Sequence, residues 1–249
     1  ILGNKSSLNR LHSPQIKEFI NRTYNTDQMV FSVIGNVSEK RFVEIVERYF
    51  GGVAANPRGF ERVAPLQVGQ FEKCVSHNTH QALSIIGKRA YGLNDDERLP
   101  LLLLTNMLGG PSSNSVLNLL LREKNALSYN IEATYSPLSD CGVFAICFST
   151  EKDKRAQCLD LINSQLECFK NEPVSARKLA VAKKQFWGQF MISSANDEGY
   201  MLGSAKSYLM FNSVDTCAEV KEKIMEVSQD DIMKVAREVF SDMSMLVYR

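Results

Sequence analysis

Histidine and tryptophan are scarce in this sequence of 249 residues, which contains three histidines and one tryptophan. It also lacks a Cys-x-x-Cys pair, a Gly-x-Ser-x-Gly motif and a Gly-x-x-x-x-Gly-Lys motif. These absences argue against a dithiol redox centre, a serine nucleophile elbow and a phosphate-binding loop. Few residues remain that could carry metal or nucleophile chemistry.

Positive and negative charges nearly balance, since the sequence has 29 lysines and arginines and 28 aspartates and glutamates. No run of five like charges occurs, so neither nucleic acid nor a membrane is an expected partner. The longest apolar stretch, around residues 101–104, is far shorter than the roughly 20 residues that cross a bilayer. With 44% hydrophobic residues, the sequence predicts a globular, soluble protein.

The six cysteines are scattered through apolar segments, which predicts reduced, buried thiols. Cys141 and Cys147 are six residues apart on a predicted strand and therefore share one face. Lining a core is favoured over metal binding for this pair. Reduced thiols favour a cytoplasmic location, although the periplasm stays open.

The first fifty residues predict a helix, a strand over residues 28–34 and a second helix. Residues 53–70 lack either period and form the expected linker. Beyond it we expect strands over residues 71–76 and 81–88, and a helix that opens at Asn94 and ends at Gly109. A short helix over residues 116–123, strands over residues 127–135 and 142–149, long helices and a last helix–strand pair should follow.

An internal repeat appears when the start of the chain is placed on its end at an offset of 216 residues. Ile16 then matches Ile232, and the other matched pairs are Phe19 with Val235, Tyr24 with Phe240, and Met29 with Met245. A repeat this long indicates a duplicated domain. Because residue 1 is Ile, we expect a longer two-domain protein in which the first copy is represented here only by its tail.

The histidines do not predict a metal site. His77 and His80 flank a predicted turn, but no carboxylate lies in register beside them. His12 precedes a predicted helix, where capping explains it.

One combination of motifs is more specific than its parts. The segments Leu-Gly-Gly-Pro-Ser-Ser (108–113), Leu-Leu-Arg-Glu-Lys (120–124), Leu-Ser-Tyr (127–129) and Gly-Val-Phe (142–144) follow one another in order. Together they resemble the second-domain signature of the pitrilysin/insulinase family of zinc metallopeptidases, close to the mitochondrial processing peptidase branch. The resemblance covers nearly the whole chain, with residues 1–52 as the tail of the first domain and residues 71–249 as the second domain.

The resemblance implies an α+β fold, in which long helices cover one side of a mostly antiparallel sheet. In this family a His-x-x-Glu-His helix and a distal Glu of the first domain bind zinc. At the matching positions this chain has Leu102, Thr105 and Asn106, which supply neither ligands nor a general base. We therefore expect no metal site here, no activity of the chain alone, and zinc in the missing first domain.

Arg122 and Tyr129 match the family's arginine and tyrosine that reach toward the zinc of the other domain. The resemblance implies that Tyr129 stabilises the oxyanion and that Arg122 holds a substrate carbonyl. The expected function is the substrate-binding, zinc-free half of a zinc metalloendopeptidase that cleaves unfolded or extended peptides. The alternative is a non-catalytic partner or core-type interaction subunit, and a homo-oligomer also stays open.

Overall fold

A computed structural model of the protein describes residues 3–61, 63, 65–66, 69–76 and 78–249. The chain divides into two units, the first made of residues 1–62 and 191–215 and the second of residues 63–190 and 216–249. The first unit thus includes a segment, 191–215, that lies within the predicted second domain.

Helices and strands follow one another along the described residues as α1 (Lys5–Asn9), α2 (Ser13–Thr23), a 3₁₀ turn (Thr26–Gln28), α3 (Glu39–Phe50), β1 (Glu72–Val75), β2 (Gln81–Ala90), α4 (Arg98–Gly109), a π-helix (Asn118–Lys124), β3 (Asn130–Pro137), β4 (Gly142–Glu151), α5 (Arg155–Asn171), α6 (Ala176–Ser194), α7 (Asp197–Phe211), α8 (Cys217–Glu226), α9 (Gln229–Val239) and β5 (Ser244–Tyr248).

The five strands form one sheet in the order β1-β5-β2-β4-β3. Every neighbouring pair is antiparallel except β1 with β5. Alternate side chains of β2, β3 and β4 are buried, as expected for a sheet covered on one face. The core on that face includes Phe144, Ile146, Leu104, Ile162 and Val235, contributed by β4, α4, α5 and α9. The predicted α+β fold is confirmed.

Local sequence explains most element boundaries. The hydroxyl of Ser228 accepts a hydrogen bond from the Asp231 N–H at the start of α9, and Thr216 does the same for Glu219 at the start of α8. Such caps satisfy N–H groups that have no partner within the helix. The helix predicted from Asn94 begins instead at Arg98, because the Asp95 carboxylate accepts the Gly92 N–H at 2.7 Å in a preceding turn.

The predicted strand over residues 28–34 is wrong. Met29 has extended backbone angles, but residues 29–34 pair with no strand among the described residues. Phe31 and Val33 are exposed. A strand needs a neighbour to satisfy its backbone groups, and a β-rich composition does not supply one.

The cysteines are free, but most of them are not buried. Cys158 is buried, Cys74 and Cys168 are exposed, and the other three are partly exposed. Cys141 precedes β4, and Cys147 lies on the face of the sheet opposite the helices, so the predicted core role of this pair is wrong. None of the helices in the described ranges is long and apolar enough to span a bilayer.

Candidate functional site

Helix α4 carries Leu102, Thr105 and Asn106, the residues that the resemblance places at the positions of a zinc helix. Leu102 is partly buried against the core, and Thr105 is buried with its hydroxyl donating to the Leu101 carbonyl at 2.7 Å. Asn106 donates through Nδ2 to Gln189 Oε1 at 2.8 Å. A leucine, a back-bonded threonine and an amide do not fit a zinc ion, which takes imidazole, thiolate or carboxylate ligands.

The rest of the described chain offers no alternative metal site, since its His, Cys, Asp and Glu residues form no group of three that could hold an ion. His80 is exposed, and His12 caps α2, with its backbone N–H donating to Gln15 Oε1 at 2.8 Å. His77 lies outside the described residues.

A network of amide and hydroxyl groups surrounds Asn106. Gln189 and Gln185, one turn apart on α6, both donate to the Ser112 hydroxyl at 2.9 Å. Gln185 in turn accepts from Asn114 Nδ2 at 2.9 Å. The network is neutral, and it fixes the loop after α4 to the middle of α6.

Gly109 permits α4 to lie directly on β3. A Cβ atom at this position would stand 2.6 Å from the Ala133 nitrogen and 2.8 Å from the Ala133 Cβ. No side chain larger than hydrogen fits there without backbone movement. The Gly109-Gly110 pair therefore does more than end the helix.

The segment after this loop has unusual backbone geometry. The π-helix is a rare element that often occurs at functional sites, and Ala126, two residues after its end, has a left-handed φ of 50°. Side-chain bonds hold both ends, from Asn118 Nδ2 to Ser115 Oγ at 2.7 Å and from Asn125 Nδ2 to the Leu120 carbonyl at 2.8 Å. Left-handed geometry in a residue other than glycine costs free energy, which the surroundings must supply.

Two buried hydroxyls fasten the residues just before β3. Thr150 donates to the Leu127 carbonyl at 2.6 Å, and Ser128 donates to the Ser149 carbonyl at 2.7 Å. Both bonds join this segment to β4, a central strand of the sheet. Tyr129 follows immediately, so its backbone has a rigid support.

Arg122 and Tyr129 both present donor groups to solvent. Arg122 belongs to the π-helix, and its Nε lies 3.6 Å from Glu123 Oε1 in an exposed ion pair of the kind that contributes little. Tyr129 is 84% exposed, and its hydroxyl makes no hydrogen bond within the described part of the chain. Lys154 is near it, and its ammonium is paired with the Glu151 carboxylate at 2.8 Å, a hydrogen bond that raises the pKa of Lys154.

A cavity of about 670 Å³ opens on the helical side of the second unit. Its walls come from α4, the loop and π-helix that follow, α5 and α6. Neither Arg122 nor Tyr129 lines it.

Sequence reasoning missed three features of this region. The amide network and the cavity depend on contacts between α4 and α6, about 80 residues apart, that no local pattern reveals. The third feature is the pair of hydroxyls that bond the segment before β3 to β4. One of them, Ser128, lies inside the Leu-Ser-Tyr motif, so its position could have suggested this role. Nothing in the sequence singles out Thr150.

Residues 10–186 match the family model of the peptidase M16 inactive domain. The match covers more than half of the chain, which therefore belongs to this family.

Among curated proteins, the chain is 26% identical over 245 residues to the uncharacterized zinc protease YmxG of Bacillus subtilis. That alignment covers 97% of this chain and 58% of the relative. It is 22% identical to the probable mitochondrial-processing peptidase subunit beta of Schizosaccharomyces pombe, covering 99% of this chain and 56% of that protein. The chain thus spans a little over half the length of these relatives.

Among solved structures, the peptidase M16 inactive domain from Pseudomonas fluorescens superposes with a TM-score of 0.84 at 17% identity. The superposition covers 99% of this chain and 59% of that one. The fold of the chain is therefore that of an M16 inactive domain. The chain is similar over its length to zinc protease-like proteins, and its own residues at the zinc-helix positions do not fit the metal.

Proposed function

We propose that this chain is the substrate-binding, zinc-free half of a zinc metalloendopeptidase that cleaves unfolded or extended peptides. The observation that carries the proposal is the pair of solvent-exposed donors, Arg122 in the π-helix and Tyr129 directly after a segment that is fastened to β4. Hydrolysis would require zinc held by a homologous domain or subunit. The chain by itself would bind peptide and not cleave it.

In this proposal the Tyr129 hydroxyl donates a hydrogen bond to the oxygen of the scissile carbonyl as negative charge develops on it. A donor of this kind acts best when it does not have to move, and the bonds from Thr150 and Ser128 hold the adjoining backbone to β4. The Arg122 guanidinium holds a neighbouring substrate carbonyl with two of its N–H groups.

Strand β3 gives the peptide a place to pair. It is bonded to β4 on one side, and its other edge pairs with no strand in the described ranges. An extended peptide added there would run along the strand that begins one residue after Tyr129. The peptide backbone would gain ladder hydrogen bonds while its carbonyls pass the two donors.

We further propose that residues 1–52 are the tail of the homologous zinc-bearing domain and residues 53–70 the linker to the second. Most apolar residues of α2 and α3 are exposed in the described chain, as expected of helices whose covering sheet belongs to another segment. A homo-oligomer that covers the same residues is the competing arrangement.

The test of the catalytic role is Tyr129→Phe in the complete protein. Loss of one oxyanion donor should lower kcat for peptide cleavage by about 10²-fold, with zinc content unchanged. Tyr208→Phe is the matched control, because Tyr208 is also exposed, lies outside the segment, and should leave kcat unaltered. Unchanged turnover in Tyr129→Phe would remove Tyr129 from the mechanism.

A second candidate function is a non-catalytic partner or core-type interaction subunit. It is favoured by the similarity to a relative named as one subunit of a processing peptidase. The coding region upstream separates the two, since a His-x-x-Glu-His motif within roughly 200 residues supports the single-chain peptidase. Without that motif, co-purification of a zinc-bearing chain followed by a cleavage assay distinguishes a working partner from an inert subunit.

A further inference from the structure

The cavity on the helical side of the second unit has an apolar floor, and the charged residues that line it are all positive. Its apolar lining consists of Met107, Val116, Leu119, Leu120, Val181 and Ala182. Val181 is 57% exposed, so part of this lining faces solvent. The volume of about 670 Å³ lies within the range of sites that bind small ligands or short peptide segments.

All three charged residues that line the cavity are cations, Lys124, Arg177 and Lys178, and the lining includes no aspartate or glutamate. None of the three makes an ion pair among the residues that the structure describes. Because the whole chain is nearly neutral, with a net charge of +1, this bias belongs to the cavity and not to the composition. Such a surface favours an anionic ligand.

Amide side chains on the wall suit a peptide better than a simple fatty anion. Gln165 on α5 lines the cavity, and its amide makes no hydrogen bond within the described part of the chain. An amide donates and accepts, as a peptide backbone does, whereas a hydrocarbon chain offers it no partner. Asn114 and Gln185, already bonded to each other, extend the polar wall and keep it rigid.

We propose that this cavity is a second peptide-binding site, which takes an extended segment with alternating acidic and apolar side chains. The apolar side chains enter between α6 and the π-helix, the carboxylates meet Lys124, Arg177 and Lys178, and Gln165 bonds the peptide backbone. Lining residues from β3 are absent, so the site is separate from the sheet edge proposed for the scissile peptide. It does not depend on the peptidase role, because binding needs no zinc.

The test is fluorescence anisotropy of a labelled octapeptide of alternating leucine and glutamate, blocked at both ends, titrated with the full chain. We expect saturable binding that weakens as salt is raised, since exposed charges are screened. The same peptide with lysine in place of glutamate should not bind. Decanoate, which supplies the carboxylate and the apolar chain without a backbone, should compete weakly.

Two pairs of variants on α6 assign the binding to the cavity. Lys178→Glu should raise the dissociation constant of the acidic peptide by about tenfold. Lys184→Glu makes the same charge change at an exposed position outside the lining, and it should change the dissociation constant by less than about twofold. Val181→Asp should raise the dissociation constant more than about tenfold. Ile192→Asp, at another exposed position of α6, should leave the dissociation constant unchanged. Both mutated cavity residues are solvent-accessible, so the fold should be retained, as far-UV circular dichroism would verify.

Any of three results overturns the proposal. They are absence of binding of the acidic peptide, equal binding of the lysine peptide, and an unchanged dissociation constant in both Lys178→Glu and Val181→Asp. Tight binding of decanoate without binding of the peptide would also overturn it, by making the occupant a fatty anion. Catalytic turnover of the complete protein is not a readout here, so failure of this site and failure of the Tyr129 role are distinguishable.

Discussion

Two helices matched by the internal repeat, one near each end of the chain, are buried to very different extents. Helix α2 and helix α9 have bounds that differ by the same 216 residues at both ends. Ile232 on α9 is fully buried, whereas the matching Ile16 on α2 is 50% exposed. Phe240 is 5% exposed against 55% for the matching Tyr24.

The difference comes from the surroundings of each helix and not from its sequence pattern. Helix α9 packs on α4 and α5 over the sheet, and β5 follows it as a central strand. In the described residues of the first unit, Asn25 is the one buried residue. Polar bonds hold that region, such as those from Asn56 Nδ2 to the Asn21 and Tyr24 carbonyls. An amphipathic pattern thus specifies a helix but not the partner that buries it.

The largest effect expected from this contrast is on stability. Phe240→Ala should lower the free energy of unfolding by about 3–5 kcal/mol, since it removes a buried ring whose centroid lies 5.2 Å from that of Phe144. The matching Tyr24→Ala should change it by less than about 0.5 kcal/mol. Denaturant titration followed by far-UV circular dichroism, which reports the helices of both units, measures the effect of each variant. Equal losses in the two variants would contradict the contrast.

The second prediction compares the effect of Ile16→Ala on stability in the 249-residue chain and in the complete protein. Ile16→Ala should cost less than about 0.5 kcal/mol in the 249-residue chain, where Ile16 is exposed. In the complete protein, where we propose that a homologous sheet covers α2, it should cost about 2–5 kcal/mol. Thermal unfolding of both forms measures the difference. A cost that stays small in the complete protein would mean that nothing covers this face there.

Much of the fold could be predicted from the sequence because the second unit is locally consistent. Strands β2 and β4 and the helices beyond them follow their hydrophobic periods, and the packing agrees with each period. The prediction of a strand over residues 28–34 failed for the opposite reason, since the segment is rich in β-forming residues but pairs with no strand in the described chain. Pairing is a long-range property that a single segment does not encode.

The candidate site could be predicted only as a set of positions. The motif gives Arg122 and Tyr129 their places in the sequence, and the resemblance gives them roles. The fastening by Thr150 and the left-handed Ala126 depend on how β4 and the segment after the π-helix come together in the folded chain. The separate cavity also has no local signature.

Backbone strain gives a smaller contrast between the units. Asn212 of the first unit and Asp242 of the second are left-handed residues of types that tolerate this geometry, whereas the second unit also has a left-handed alanine, Ala126. We expect Ala126→Gly to raise the free energy of unfolding by up to about 1 kcal/mol, because it removes the left-handed strain. Ala180→Gly, at an exposed position of α6, should instead lower it by about 0.5–1 kcal/mol. Destabilisation by Ala126→Gly would contradict the assignment of strain.

The smallest effect concerns the caps of the two matched helices. At α9 the Asp231 carboxylate accepts from the Ser228 hydroxyl and N–H at 2.7 and 2.8 Å, and these bonds lower the pKa of Asp231. At α2 the matching residue is Gln15, which does not titrate. Only the α9 cap should therefore make stability depend on pH.

A carboxyl whose pKa is lower in the folded state stabilises the fold above its unfolded pKa of about 3.9. That contribution is lost as the pH falls through the folded value. Asp231→Asn should therefore flatten the decline in stability below about pH 4, while lowering stability at neutral pH by about 0.5–1 kcal/mol. Denaturant titrations at a series of pH values, read by far-UV circular dichroism, which reports the helices of both units, measure both changes. Gln15→Asn should leave the pH profile unaltered, and a profile that Asp231→Asn does not flatten would show that the cap carries no linked proton.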